Sequence, residues 1–408
     1  MISLIHLKWR ESFSISYFKK NKKWPKVILD DIIKDSYFGS CLLKGQEIDI
    51  TQILDTVGTW QDDSTSMRNF EFNETNEMLV DLPPNTEPYE YFRLLVDDDF
   101  LNNVVKESNE YAVEMFLKKG GSERARISLW KDLTREELLK FIGLIYHMGT
   151  IKLNRLQDYW KTHRLFNLKC FAEQMGRDRF LGILRCLHFV RNPRPNEPTP
   201  ADRLFKIRPV INYFNDKMRK IYYPGKYLSL DESSMLWRGR LIFRQYISNK
   251  RHRYGLKLYM LTEPNGLILN FSVYTGQLDD LRGKGHTQKV VRHLMNNNLN
   301  KGHSLFMDNY YNGCELARTL LNNKTHCTGT LQSNRKGVPK EVVGTKLRIG
   351  ETTAKYLDGI MVGRWRDKRE VTYISTQFRN DMVEVSNRRR IVIAKPLPIM
   401  NTTKTWEA

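Results

Sequence analysis

Apolar residues repeat at helical spacing from about residue 87 to residue 223. Thr134 and Glu137 form a capping box, the signature of a helix start, and the apolar residues after them fall on one helical face. The same spacing predicts a second helix at 179–188. A loop with four prolines in nine residues follows at 192–200. The apolar face of the first helix comprises Leu138, Phe141, Ile142 and Ile145.

After Pro224-Gly225 the pattern changes to short β-prone runs. Residues 226–230 predict a strand that delivers Asp231 at its end. Two further runs, joined by the turn Pro264-Asn265-Gly266, predict a hairpin. The remaining predictions are hairpin strands at 256–261 and 267–274, a helix at 287–297, a strand at 304–307 that ends at Asp308, a helix at 314–321 and a strand at 326–331.

This order of elements is typical of a ribonuclease-H-like α/β core, in which the first and fourth strands lie side by side and parallel. The carboxyl ends of adjacent parallel strands meet at one edge of a sheet. We therefore expect Asp231 and Asp308 to lie together, although 77 residues separate them in sequence. Paired carboxylates repel each other unless a divalent cation lies between them, so the pair predicts a Mg²⁺ site.

Charge is distributed unevenly along the chain. The 408 residues carry a formal net charge of +20, yet 17 acidic and 4 basic residues lie between Asp30 and Asp99. The remainder has a charge of +33, which favours a polyanionic partner such as double-stranded DNA. The acidic segment is either a solvated, partly disordered leader or a cover for the nucleic-acid surface.

Several classes of protein are excluded. No apolar run is long enough for a membrane helix, so we expect a soluble intracellular protein. Five cysteines without a CxxC pair argue against a disulfide framework and a zinc knuckle. His147, His163 and His188 lack metal-ligand spacing and are interpreted as core or surface residues. The basic run 19–23 is either a nuclear localisation signal or a chance cluster.

A basic strip follows the first predicted strand. Residues 238–257 contain seven basic and no acidic residues, interleaved with aromatic residues, which is typical of a surface that binds a nucleic-acid backbone. A solvated hairpin is the alternative interpretation. The predicted DNA-binding residues are Arg238, Arg240, Arg244, Lys250, Arg251, Arg253 and Lys257, with Arg335 and Lys336 added further along the chain.

Two blocks of sequence resemble the catalytic core of piggyBac transposases. The first runs from Leu228-Ser229-Leu230-Asp231-Glu232-Ser233 to Tyr254-Gly255-Leu256-Lys257. The second runs from Met307-Asp308-Asn309-Tyr310-Tyr311 to Asn334-Arg335-Lys336-Gly337-Val338-Pro339. The resemblance covers roughly residues 88–396.

The resemblance implies a Mg²⁺-dependent cut-and-paste DNA transposase that acts in the nucleus as a homodimer and prefers TTAA targets. Asp231 and Asp308 match the family's first two catalytic aspartates and are the expected metal ligands. The third belongs to a Gly-Gly-Val-Asp segment after a Lys-Pro pair, whereas Lys395-Pro396 is followed here by residues 397–408, which contain no such segment. The family's zinc-binding tail is also missing, so no zinc is expected.

The resemblance also implies a division into domains. The predicted domains are an acidic, partly disordered leader (1–85), a helical dimerisation and DNA-binding domain (86–225), a ribonuclease-H-like catalytic core (226–335), a β-rich insertion (336–396) and a tail (397–408).

Other acids are poor substitutes for the third carboxylate. Glu232 follows Asp231 on the strand, so its side chain is expected on the opposite face. Asp367 lies among arginines and lysines, which favours a structural ion pair. Asp279 and Asp280 lie in a turn-like stretch. We therefore predict an incomplete metal site.

Three functions fit these observations. The first is a piggyBac-derived protein that retains DNA binding and has lost catalysis, because metal ligands act as a unit. The second is an active or fragmentary transposase. The third is an interaction module with no role in DNA binding, which leaves the basic surplus unexplained.

Overall fold

The structure is a computed structural model that describes residues 58–119, 126–237, 239, 241–246, 254–386 and 392–407. Helices dominate before residue 222, and a large mixed sheet dominates after it. None of the helices in these ranges is long and apolar enough to cross a membrane. The four cysteines that lie in these ranges are all free thiols.

The helical region begins with an exposed helix and continues through a buried bundle. Thr134 caps α3, because its side chain accepts a hydrogen bond from the Glu137 N–H at 3.2 Å, and the predicted apolar face of this helix is buried. The predicted start and core of this helix are confirmed. The bounds are α1 Pro88–Leu95, α2 Asp98–Lys119, α3 Arg135–Thr150, α4 Lys169–Gln174, α5 Arg177–Cys186 and α6 Arg208–Ile221, with 3₁₀ turns at Arg126–Leu129 and Leu156–Trp160.

The central sheet pairs the first and fourth predicted strands in parallel. Leu230 of β3 (Tyr227–Leu236) lies opposite Met307 of β7 (Ser304–Met307). Strand β7 is in turn parallel to β8 (His326–Thr330). The predicted hairpin is also confirmed, because β5 and β6 are antiparallel neighbours. The elements are β3 Tyr227–Leu236, β4 Gln245–Tyr246, β5 Tyr254–Thr262, β6 Ile268–Val273, α7 His286–Met295, β7 Ser304–Met307, α8 Cys314–Asn322 and β8 His326–Thr330, with a 3₁₀ turn at Gly276–Leu278.

The strand β3 is longer than the sequence predicts. It continues past Asp231 to Leu236, because its antiparallel partner β5 keeps the register up to Gly255. The parallel partner β7 ends earlier, at Met307. Asp231 therefore lies within a strand rather than at its end, at the point where β3 loses its parallel neighbour.

Three of the five strands in the predicted insertion join the central sheet. Strand β11 (Glu370–Ser375) pairs with β8, so β11 and its neighbours β10 (Ile360–Arg366) and β9 (Thr352–Leu357) extend the central sheet. A separate hairpin follows them. The segment predicted as a tail is helical. The elements are α9 Lys340–Gly344, β9 Thr352–Leu357, β10 Ile360–Arg366, β11 Glu370–Ser375, β12 Met382–Ser386, β13 Val392–Pro396 and α10 Leu397–Glu407.

The helices α7 and α8 cover one face of the sheet, and α10 contributes to the other. Val290 and Leu294 of α7 share a buried cluster with Leu230 and Val362. Met361, which directly precedes Val362 on β10, packs instead in a cluster that includes Ile399 of α10. Alternate residues of a strand point to opposite faces, so α10 lies on the face that Asp231 shares.

Residues 58–82, which we call the N-terminal strap, belong to the predicted leader and pack on the sheet. Gln61 forms a bridge with Tyr356 of β9, and Met67 packs against the insertion strands. Further along, β1 (Glu77–Met78) pairs with β2 (Tyr222–Tyr223). The strap therefore crosses from the insertion strands to the start of β3. The rest of the predicted leader, residues 1–57, lies outside the described residues.

Candidate functional site

The two predicted catalytic aspartates lie at one edge of the sheet. Asp231 and Asp308 immediately follow Leu230 and Met307, the last paired residues of the parallel strands. Neighbouring strands lie about 4.8 Å apart, so the backbones carry the two carboxylates to adjacent positions. The Asp231 side chain is exposed and that of Asp308 is half-buried. This carboxyl edge is open to a solvent-borne ligand.

A tight loop fixes the position of Asp308. One carboxylate oxygen of Asp308 accepts a hydrogen bond from the Tyr310 N–H at 2.9 Å. The buried Asn312 amide donates to the carbonyls of Met307 (2.8 Å) and Thr330 (3.0 Å), which ties the ends of β7 and β8 together. Asn312 carries no sequence signal of its own, since it acts only through this three-dimensional contact.

Gly329 allows the two parallel strands to approach at this edge. Its φ of +153° is rare for other residues, and an added Cβ would lie 1.8 Å from the Met307 carbonyl oxygen. A glycine is therefore required where β8 passes the end of β7. The sequence block that resembles piggyBac transposases includes Gly329-Thr330, but the physical reason for a glycine at this position is visible only in the structure.

Electrostatics tie Glu232 to the aspartate pair. Burial raises the pKa of Asp308, and the negative charge of Glu232 raises it further. Burial also raises the pKa of Tyr311, with contributions from Glu232 and then from the aspartates. The Tyr311 hydroxyl donates to Glu232 at 3.4 Å. Glu232 therefore influences Asp308 electrostatically, although its side chain lies on the other face of β3, with Tyr259 and Tyr311.

The donor set fits Mg²⁺ as a two-carboxylate site. Hard oxygen ligands suit this ion, which usually takes one or two carboxylates and completes its shell with water and phosphate oxygens. Burial raises the pKa of Asp308, and a bound cation would favour the ionised carboxylate that can act as its ligand. Within the described ranges, no group of three or more His, Cys, Asp or Glu side chains is placed to hold a metal ion. Glu232 thus does not complete a cage with the pair.

One of the predicted DNA-binding cations, Lys257, lies beside the site, and Arg244 lies elsewhere on the same basic strip. The Lys257 ammonium lies over the rings of Tyr310 (4.4 Å) and Tyr259 (5.0 Å), next to the loop that holds Asp308. The Arg244 guanidinium lies 5.0 Å from the Tyr254 ring centre. Five predicted cations lie outside the described residues: Arg238, Arg240, Lys250, Arg251 and Arg253.

Arg335 and Lys336 differ in their surroundings. The Arg335 guanidinium donates to the carbonyls of Asn309 (3.2 Å) and Tyr310 (2.6 Å), so it supports the loop after Asp308. Lys336, the next residue, is exposed. The contacts of Arg335 give it a positioning role, whereas Lys336 extends toward solvent where a phosphate could reach it.

The other acids considered as substitutes have structural surroundings. Asp367 does not form the expected ion pair within the described part of the chain, because Arg364 and Arg366 pair with Glu370 instead. Asp279 is buried and accepts hydrogen bonds from the backbone N–H groups of Thr275 and Leu281. None of these arrangements resembles a metal site.

Sequence and structure comparisons place the chain in a transposase family. A family model described as Transposase IS4 matches residues 87–405, and the chain belongs to this family. It is 27% identical over 313 residues to human PiggyBac transposable element-derived protein 3, covering 73% of this chain and 50% of that protein. Human PiggyBac transposable element-derived protein 2 is 26% identical, over 74% of this chain and 50% of that protein. The chain spans about half the length of these relatives.

A solved structure shares the fold. The chain matches a cryo-EM structure of a piggyBac transposase synaptic complex with hairpin DNA, with a TM-score of 0.67 and 22% identity. The match covers 82% of this chain and 68% of the transposase chain. The resemblance to piggyBac transposases that the sequence suggests is confirmed.

Proposed function

We propose that the chain binds double-stranded DNA at the carboxyl edge of a ribonuclease-H-like core, where Asp231 and Asp308 hold Mg²⁺. The observation that carries the proposal is the placement of these two aspartates directly after the last paired residues of parallel strands. Lys257 beside the pair supplies positive charge for a phosphate backbone. Membership of a transposase family supports the same conclusion.

The Mg²⁺ ion would polarise a phosphate oxygen when it is bound by this pair. The protein's own contribution is positional. Tyr310 and Asn312 fix the end of β7, and Arg335 holds the loop that follows. Rigid support of this kind is what keeps a ligand set in place.

We further propose that this chain binds DNA without cutting it. Ligands of a catalytic metal act as a unit, so a site that lacks one loses most of its rate. In the described ranges, no third acidic or imidazole side chain joins the aspartates in a metal-binding group. Recognition of TTAA-containing ends, homodimerisation through the helical region, and action in the nucleus belong to the same proposal.

Salt-dependent DNA binding tests the first part. Wild-type protein and a Lys257→Gln, Lys336→Gln variant are titrated with a fluorescent 30-base-pair duplex at several salt concentrations. Each lost phosphate contact should reduce the slope of log K against log salt by about 0.9, so the variant slope should fall by roughly 2. No wild-type binding at low salt would overturn the proposal and support an interaction module without a DNA role.

DNA cleavage tests the second part. The protein is incubated with Mg²⁺ or Mn²⁺ and a duplex that contains TTAA, and the products are resolved on a denaturing gel. We expect intact DNA. Cleavage that disappears in both Asp231→Ala and Asp308→Ala would instead identify an active transposase core and contradict the loss of catalysis.

A further inference from the structure

A second basic groove lies at the far side of β6, away from the aspartate pair. It has a volume of about 520 Å³ and runs between α6 and α7, with the edge strand β6 at its base. The α6 wall presents Asn212, Asn215, Asp216 and Arg219, whose spacing of three and four residues places them on one helical face. The α7 wall presents Lys289, Arg292 and His293.

The balance of charge in the groove is positive. Asp216 is the one acidic residue among the described residues that line it, and its carboxylate pairs with Arg219. Lys289 donates to the Arg282 carbonyl at 3.0 Å and keeps its charge at the surface. Among the described residues, Arg292 has no hydrogen-bond or ion-pair partner, and its side chain is exposed. The groove therefore presents cations whose charge its own acid does not cancel.

Part of the groove is rigid and part offers donors. Asn215 binds the backbone of Phe271 through both its amide atoms, at 2.9 and 3.1 Å, and Asn270 donates to the Leu294 carbonyl at 3.1 Å. These contacts fix α6 and α7 against β6. By contrast, the exposed amides of Asn296 and Asn297 at the end of α7 have no side-chain partner among the described residues. Amides and cations are the groups that bind phosphate and sugar oxygens in protein–DNA complexes.

We propose that this groove binds a second stretch of DNA backbone, separate from the segment at the aspartate pair. This proposal rests on the proposed DNA-binding function. The length of the walls favours a chain of phosphates over a single one. Residues 212–219 of α6 and 289–295 of α7 each extend about 9–11 Å. Successive phosphates rise about 3.4 Å along the DNA axis, so a wall that lies along this axis spans about three of them.

A charge-neutralising pair of substitutions tests the groove. The full chain carrying Lys289→Gln and Arg292→Gln is compared with wild type in salt titrations with a random-sequence 30-base-pair duplex. We expect binding about tenfold weaker at low salt and a salt slope reduced by roughly 2. The matched control is Lys152→Gln with Lys346→Gln, which removes two exposed lysines outside the groove and should leave the slope unchanged.

Two further measurements keep the result interpretable. Asn296→Asp with Asn297→Asp adds negative charge at exposed positions and should weaken binding similarly while the thermal unfolding curve is retained.

ATP is then compared with the duplex for protection of Lys289 against amine-modifying reagents. We expect protection by the duplex and not by ATP. Equal protection by ATP would make the groove a nucleotide site and overturn the proposal.

The outcomes separate this proposal from the proposed function. One outcome is a salt slope that is reduced in the Lys257 and Lys336 variant but not in the Lys289 and Arg292 variant. That result would contradict the proposal for the groove and leave the proposed function standing. Failure of wild-type protein to bind the duplex would remove both. A fall in both variants, with the control unchanged, supports two separate backbone contacts.

Discussion

The two edges of the parallel strands differ in how they meet solvent. At the amino edge, His303 and His326 are fully buried, and Phe72 and Phe70 of the N-terminal strap each lie 4.8 Å from one of these rings. At the carboxyl edge, Asp231 is exposed and Asp308 is half-buried. The amino edge is closed by aromatic packing, whereas the carboxyl edge keeps acidic groups accessible.

The pKa shifts reflect the same difference. Burial lowers the pKa of His326 from 6.5 to about 4 and also lowers that of His303, so the fold disfavours the charged form of both imidazoles. Burial raises the pKa of Asp308 at the other edge. Uncharged imidazoles suit a packed boundary. The ionised form of Asp308 is disfavoured by burial, and a cation bound at that edge would offset the effect.

Replacing Gly329 with alanine should have the largest effect, and it acts on the carboxyl edge. The new Cβ would lie 1.8 Å from the Met307 carbonyl oxygen, so β7 and β8 must separate. We expect a loss of roughly 3 kcal/mol in the free energy of unfolding, measured by urea denaturation. Gly313→Ala is the matched control, because nothing lies within 4 Å of its added Cβ. Equal stability of both variants would contradict the close approach.

Acidification should destabilise the amino edge. Between pH 6.5 and about 4 the unfolded chain binds more protons than the folded chain, because the folded pKa of His326 is lowered. Stability should therefore fall as the pH falls through this range, by up to roughly 3 kcal/mol. Urea denaturation of wild type and His326→Gln at pH 7 and pH 4.5 measures the effect. The variant should lose less stability on acidification, and an equal loss would exclude His326 as the source.

Replacing Gly302 with alanine should loosen the strap. Its φ is +80°, and an added Cβ would lie 2.2 Å from the Glu71 carbonyl oxygen. We expect a destabilisation of about 2 kcal/mol relative to wild type. Hydrogen exchange in the variant should become faster in residues 70–76 and change less in α3. Gly266→Ala provides the control, since it shares a positive φ of +85° without a close neighbour. Unchanged exchange in the strap would show that Gly302 does not hold it.

Replacing Asp308 with asparagine should have the smallest effect, and its sign is opposite. Burial raises the pKa of Asp308, so its ionised form lowers stability as the pH rises, and removing the charge should slightly stabilise the fold at pH 7. Thermal unfolding with and without Mg²⁺ measures this. Mg²⁺ should raise the melting temperature of wild type more than that of the variant, and an equal rise would place the ion elsewhere.

Sequence patterns predict the elements better than they predict the contacts between distant elements. The β-prone runs before Asp231 and Asp308, together with the order of elements, predict the parallel pair that the structure contains. The strap is missed because its packing depends on single residues such as Phe70, which have no periodicity. Glu232 lies on the face opposite to Asp231, as the strand rule predicts, but its contact with Tyr311 depends on tertiary packing and has no sequence signal.

The extent of the central sheet is a second feature that the sequence patterns do not predict. The resemblance implies a β-rich region at 336–396, but no local signal indicates that Ser375 of β11 pairs with Thr328 of β8. This pairing joins residues 47 positions apart and depends on tertiary packing. The same reason applies to the hydrogen bonds that Arg335 donates to the Asp308 loop, whereas its phosphate contact stays a prediction.

Binding of Mn²⁺ decides whether the carboxyl edge is a metal site. Electron paramagnetic resonance of free Mn²⁺ during titration measures the affinity of a carboxylate site that would also take Mg²⁺. We expect wild-type protein to bind Mn²⁺, Asp231→Asn and Asp308→Asn each to weaken binding by about tenfold or more, and Asp367→Asn to leave it unchanged. Wild-type affinity in both aspartate variants would contradict a metal site at this pair.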